Sequence, residues 1–149
     1  AARSRDNSRT PMQWNGERYG GFSEAAPWLP MSARFRKEIT VEAQQKDKDS
    51  ILAFYKKLIA MRKTYPVIAE GGISFLETGT DMVLAYQRIL GEQRLVVLCN
   101  LDGKRQTIQT SGQWKDFKVL LENYEGREMV MEEGTFTMEP YGFMVLISK

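Results

Sequence analysis

The hydrophobic pattern changes its period at Pro66, and that change constrains the fold more than any other feature. Before it, Ile51, Tyr55, Leu58 and Arg62 recur at three- and four-residue intervals, with Phe54, Ile59 and Met61 widening the apolar face. This spacing predicts an amphipathic helix over residues 50–63. Asp47 or Asp49 can cap its start, Lys63 suits its end, and Pro66 stops its extension. From Val67 onward the period is two. The runs Ile73–Glu77, Met82–Ile89, Arg94–Leu101, Gln106–Thr110, Lys118–Asn123, Thr135–Glu139 and Phe143–Ser148 read as strands. Turn signals separate them, at Gly79, Gly91-Glu92, Asp102-Gly103, Ser111-Gly112, Gly126, Gly134 and Pro140-Tyr141-Gly142. Leu95 to Cys99 is apolar throughout, the pattern of a strand covered on both faces. About seven short antiparallel strands predict a small sandwich or barrel.

Residues 1–48 show no long periodic segment and hold three of the five prolines. A structureless stretch of that length is unusual in a compact domain unless it serves a site. Its aromatic residues, Trp14, Tyr19, Phe22, Trp28 and Phe35, argue against disorder. A helical turn or two is expected at Val41 to Lys46. Within the stretch, Arg5-Asp6-Asn7-Ser8-Arg9-Thr10-Pro11-Met12-Gln13-Trp14 crowds cations, an acid, amides, a proline and an indole into ten residues. That composition fits a shaped loop whose polar groups hold one another or a ligand.

Composition narrows the function classes. A chain 42% hydrophobic and 27% charged is globular. A net charge of +2, with the basic residues scattered, gives no electrostatic case for nucleic acid. No apolar run is long enough for a membrane span, and Ala1-Ala2-Arg3-Ser4 carries no apolar signal region. The single cysteine, Cys99, permits no internal disulfide and fits a reducing compartment. With no histidine, the chain holds no Ser-His or Cys-His nucleophile system and no His-ligated zinc.

The run RDNSRTPMQW resembles one found in the oligo-1,6-glucosidase, dextran glucosidase and trehalose-6-phosphate hydrolase branch of glycoside hydrolase family 13. GGFS at Gly20 to Ser23 and the pair Pro27-Trp28 stand where that family has its Gly-Phe and Pro-Trp pairs. EITVEA (Glu38 to Ala43) is similar to the family's EINV run, and DSILAFYKKLIAMRK (Asp49 to Lys63) to its last barrel helix. Several motifs in one order are more specific than any one alone. The resemblance is strong over residues 3–63 and continues more weakly to the end.

A (β/α)8 barrel needs about 250 residues, more than this chain holds. The resemblance therefore implies a mixed fold class. Residues 1–66 would be the end of the barrel, its long loop between the eighth strand and eighth helix plus that last helix. Residues 67–149 would be an all-β, antiparallel, sandwich-like C-terminal domain of about seven strands. Loops on that face of a barrel build its active site. The resemblance also implies that Arg9, before Thr10-Pro11, helps hold the terminal glucose of an oligosaccharide. A guanidinium presents five donors in a rigid fork, suited to vicinal hydroxyls or a carboxylate. Left to the residues alone, Arg9 could equally brace the loop through Asp6. Arg5, Asp6 and Asn7 read as braces, and Trp14, Phe22 and Trp28 as either an aromatic wall or core.

The implied activity is retaining hydrolysis of a terminal α-glucosidic bond, α-1,6 first, on isomaltose-type, maltose-type or trehalose-6-phosphate substrates. The family's catalytic carboxylates lie upstream of this run. No catalytic residue is expected in this chain, which alone would be inactive. No cofactor and no metal is implied, the missing N-terminal barrel is the expected partner, and the resemblance together with the lone Cys99 implies a cytoplasmic location. The carboxylate pairs Glu132-Glu133 and Asp47/Asp49 read as solvated surface. Departures from the family pattern are Asn15 for an Asp, Thr40 for an Asn, and Ser32 to Lys37 in place of an NPNY run. Asn123 to Glu125 is a suggestive match only. Two other readings stay open. One is a stand-alone carbohydrate-binding or structural β-module, which should show aromatic residues on exposed strand faces. The other is a transferase relative on the same scaffold.

Overall fold

The computed structural model describes residues 5–32, 37–110, 114, 116–124, 131–132 and 134–148. The turn signals Ser111-Gly112 and Gly126, and the motif residues Ala33 to Arg36, Glu125 and Glu133, lie outside the described residues. The chain divides into two compact units, Ala1–Met61 and Arg62–Lys149.

The first unit is a long loop set against short helices. Trp14 and Asn15 both donate their backbone N–H to the Gly20 carbonyl, closing a tight turn. The turn needs left-handed backbone at Tyr19 (φ 55°), Gly20 (φ 65°) and Gly21 (φ 67°). A side chain at Gly21 would stand 2.5 Å from the Asn15 amide oxygen, so only glycine fits there. Helix α1 (Val41–Lys46) begins on this loop. Its first orphan N–H groups, on Val41 and Glu42, are taken by the Gln13 and Trp14 carbonyls at 2.9 Å each, and the Ala43 N–H by the buried Thr40 hydroxyl. The irregular stretch is thus ordered through its backbone rather than through a periodic apolar face.

Helix α2 (Ile51–Thr64) follows, within one residue of its expected span. Its cap differs from expectation. Ser50 is buried and its hydroxyl accepts from the Ala53 N–H at 3.2 Å, while Gln44 Oε1 takes the Leu52 N–H. Asp47 instead accepts from the Asp49 backbone N–H, two residues on, rather than from the first N–H groups of the helix. No residue of α2 is buried. Ile51 is 73% exposed, Tyr55 60% and Ile59 53%, so the expected apolar stripe stands open.

Pro66 ends α2 and also starts a further helix, α3 (Pro66–Glu70), where its missing N–H costs nothing. Among the described residues eight strands follow in two sheets. The larger is β1 (Gly72–Phe75), β2 (Val83–Leu90), β3 (Gln93–Asn100), β8 (Phe143–Ile147) and β5 (Lys118–Glu122), in that spatial order. The smaller is β4 (Gln106–Gln109), β7 (Thr135–Met138) and β6 (Met131–Glu132). All pairings are antiparallel. The seven expected strands are present; β6, two residues long, is the addition, too short for any periodicity to reveal.

The core lies between the sheets. Val83, Ala85, Val96, Leu98, Met144 and Leu146 from the larger sheet meet Ile108, Phe136 and Met138 from the smaller, with Trp114 buried among them. The opposite face of the larger sheet is covered at one end by α3, whose fully buried Val67 packs with Leu95 and Ile147. Arg88 fastens that helix, donating to the Val67 and Gly71 carbonyls at 3.1 and 2.7 Å. Gly71 is required there, because a Cβ would come within 2.6 Å of the Val67 carbonyl oxygen. The strand Leu95 to Cys99 was expected to be covered on both faces. Val96 and Leu98 are buried on the core side and Leu95 under α3, while Val97, packed against the same cluster as Val67, and Cys99 are only half-buried.

Candidate functional site

The loop that carries Arg9 starts as a 3-10 turn over Arg5–Ser8. The Arg9 backbone N–H donates to the Asp6 carbonyl at 3.0 Å, which brings both side chains to one side of the turn. There the Arg9 guanidinium forms an ion pair with the Asp6 carboxylate, and its Cζ lies 5.6 Å from the centroid of the Trp28 ring. The structure therefore joins three residues the sequence singled out. Asp6 is the brace it was expected to be. Trp28 is not core: it is 82% exposed and serves as a flat support for the cation. Pro11 is buried and anchors the segment that follows Arg9.

Trp14 and Phe22, each 50% exposed, are likewise surface rather than core. Arg18 stacks on Tyr19 at 4.7 Å and donates to its hydroxyl at 2.7 Å, which holds the positive-φ Tyr19 in place. Gln13 Oε1 is enclosed and has no hydrogen-bond donor among the described residues. The side chains of Arg5 and Asn7 lie outside the described residues.

Chemically, the cluster presents a permanent cation whose fork is oriented by one carboxylate and one aromatic face. One donor goes to Asp6, and the geometry leaves a half-exposed guanidinium, its side chain 42% accessible, able to bond hydroxyl oxygens. Among the described residues no group of three His, Cys, Asp or Glu is arranged to hold a metal ion. Among them, too, no helix is long and apolar enough to cross a membrane. The acids Asp47 and Asp49 are exposed, and Asp47 is engaged with backbone. Trp114, the tryptophan of the β-unit, is 5% exposed and belongs to the core. The contact between Arg9 and Trp28 was not legible in the sequence, since both residues stood out singly but nothing in their spacing paired them.

Known proteins resemble the chain along nearly its whole length. Residues 1–71 match the model of the α-amylase catalytic domain, and residues 83–145 that of the α-amylase SusG C-terminal domain. The trehalose-6-phosphate hydrolase of Bacillus subtilis is 37% identical over 149 residues, covering 97% of this chain and 26% of that protein. The oligo-1,6-glucosidase of Halalkalibacterium halodurans is 33% identical, covering 99% and 26%. The crystal structure of Bacillus licheniformis trehalose-6-phosphate hydrolase superposes with a TM-score of 0.81 at 36% identity, over 99% of this chain and 27% of that one. The chain thus spans about a quarter of the length of the relatives it matches. It belongs to the α-amylase family, glycoside hydrolase family 13, and carries the end of that family's catalytic domain followed by its C-terminal β-domain.

Proposed function

We propose that these residues form the C-terminal part of a longer α-glucosidase that hydrolyses the terminal α-glucosidic bond of oligosaccharides, with α-1,6 as the preferred linkage. The observation that carries this reading is the match along nearly the whole chain to relatives named oligo-1,6-glucosidase and trehalose-6-phosphate hydrolase. In the proposal, residues 1–66 complete the barrel and 67–149 are its C-terminal β-domain. The catalytic carboxylates, an attacking one and a protonating one about 5 to 5.5 Å apart in a retaining enzyme, come from the part outside these residues. Cytoplasmic residence belongs to the same proposal and rests on the lone free cysteine.

Arg9 is the substrate-binding residue of this reading. Asp6 and Trp28 fix the guanidinium before substrate arrives, so little side-chain entropy is lost on binding. Its remaining N–H donors are suited to two vicinal hydroxyls of one glucose ring. The test is glucose release from isomaltose, maltose and trehalose-6-phosphate by the longer protein, beside this chain alone. Activity is expected only in the longer protein, and turnover by the 149 residues would overturn the assignment. In the longer protein Arg9→Ala is expected to lower kcat/KM by at least about 100-fold, roughly 2.7 kcal/mol of transition-state binding. An unchanged kcat/KM would return Arg9 to loop bracing.

A further inference from the structure

Four asparagines occur in the chain, at positions 7, 15, 100 and 123, and Asn15 is the one followed by glycine. A following glycine has no Cβ, so its peptide nitrogen can approach the asparagine side chain unhindered. In the structure Asn15 Oδ1 accepts the Glu17 backbone N–H at 3.0 Å, closing an Asx turn around Gly16. That bond folds the side-chain amide back toward the Gly16 peptide. It also draws electron density from the amide carbonyl, so negative charge developing on that oxygen is stabilised, as in an oxyanion hole. Among the described residues nothing accepts the Gly16 N–H. Asn15 and Gly16 are both half-buried rather than enclosed, so water reaches them. Gly16 is not one of the positive-φ glycines, so the backbone itself does not call for glycine there. Asn100 and Asn123 differ on every count. Their amides donate to the Lys104, Glu139 and Tyr141 carbonyls, and the bulky Leu101 and Tyr124 follow them.

We propose that Asn15-Gly16 is a self-modifying site, at which the folded chain converts its own asparagine to an acidic residue. Hydroxide first removes the Gly16 N–H proton. The nitrogen then attacks Asn15 Cγ, the Cγ–Nδ2 bond breaks, and ammonia leaves with a proton taken from water. The product is a cyclic imide spanning the two residues. Water adds to it and one of the two ring C–N bonds breaks. Breakage at Cγ gives aspartate. Breakage at the Asn15 main-chain carbonyl gives isoaspartate, with the chain rerouted through the side chain. Either product places a new negative charge beside Glu17. Isoaspartate also lengthens the main chain by one atom between Asn15 and Gly20, the two ends of the turn that the Asn15 N–H closes on the Gly20 carbonyl. Because the attacking nitrogen must lose its proton, conversion is faster at alkaline pH.

The test is timed incubation of the longer protein, native and urea-unfolded, at neutral and at alkaline pH, followed by trypsin and mass spectrometry. Trypsin cuts after Arg9 and Arg18, so the site lies in the peptide of residues 10–18. Conversion is read as the mass gain of an amide NH2 replaced by OH, localised to residue 15 by fragmentation, with isoaspartate as a second chromatographic peak. The native rate is expected to lie within about tenfold of the unfolded one; stronger protection would mean that the fold holds the ring-closing geometry shut, and would overturn the proposal. Glu17→Pro removes the N–H that Oδ1 accepts, and the Glu17 φ of -79° already suits proline. This variant is expected to slow native conversion about fivefold and to leave the unfolded rate unchanged. No slowing, or equal slowing in both states, would overturn the part given to the turn. Gly16→Ala is expected to slow both states at least about tenfold, and an unchanged rate would overturn the cyclic route. If a variant does not fold, the ratio of native to unfolded rates in the parent protein still decides. The readout needs no glucosidase activity, so the site and the catalytic reading stand or fall separately.

Discussion

At the residue scale, function and structure depend on a few polar side chains whose partners are distant in sequence. Asn100 is buried to 3% exposure. Its amide donates to the Lys104 and Glu139 carbonyls at 2.8 and 2.7 Å and its oxygen accepts the Asp102 N–H, so one side chain ties the end of β3 to two connections. Asn100→Ala strands three backbone groups and is expected to cost about 2–3 kcal/mol in denaturant unfolding. Asn123 does comparable work for the turn before β8, bonding the Tyr141 carbonyl and the Phe143 N–H. None of this was legible beforehand, because an asparagine before Asp-Gly reads as a turn former whether or not its amide reaches across the fold. Arg9 was legible through its motif, but its support by Trp28 was not.

At the element scale, short helices are held by specific bonds because they are too short to hold themselves. Ser50 both caps α2 and donates to the Gln44 or Asp47 carbonyl at 2.7 Å. Ser50→Ala is expected to lower unfolding free energy by about 1–2 kcal/mol, and Asp49→Ala to change it little, when compared in one urea titration series. The span of α2 followed from its period, whereas its cap did not, since acids and serine serve equally at that position. Helix α3 escaped the sequence reading because five residues give no period. It exists because Val67 has a pocket over Leu95 and Ile147, and Arg88 takes its last carbonyls.

At the scale of the whole molecule, the open apolar surfaces govern behaviour. The stripe on α2 is expected to make this chain, without the rest of the protein, bind an apolar-surface dye and self-associate. Light scattering showing a monomer, with no dye bound, would mean the stripe is satisfied within the chain. Two half-buried groups of the larger sheet, Cys99 and Tyr86, also give the fold a pH signature. Burial pushes the Cys99 thiol up from its usual 9.0. Tyr86 is pushed up from 10.0, first by burial and then by the Cys99 charge, with Arg88 opposing. Both groups hold their protons more tightly when folded. Their contribution to stability is complete below those ordinary values and is lost as pH rises through the higher folded ones. Urea midpoints should therefore fall at alkaline pH, and fall less in Cys99→Ser and Tyr86→Phe, in a series from about pH 8 to 11.

The sequence by itself determined the long helix, seven of the eight strands among the described residues and the division between an irregular loop region and a β-region, because periodicity and turn chemistry are local. It also determined the family, through motifs kept in order along the chain. Only the tertiary structure decided which faces are covered, which side chains cap the helices, and that Asp6, Arg9 and Trp28 stand together. Those outcomes depend on contacts between residues far apart in the chain, and a pattern read along one dimension does not encode which of them meet.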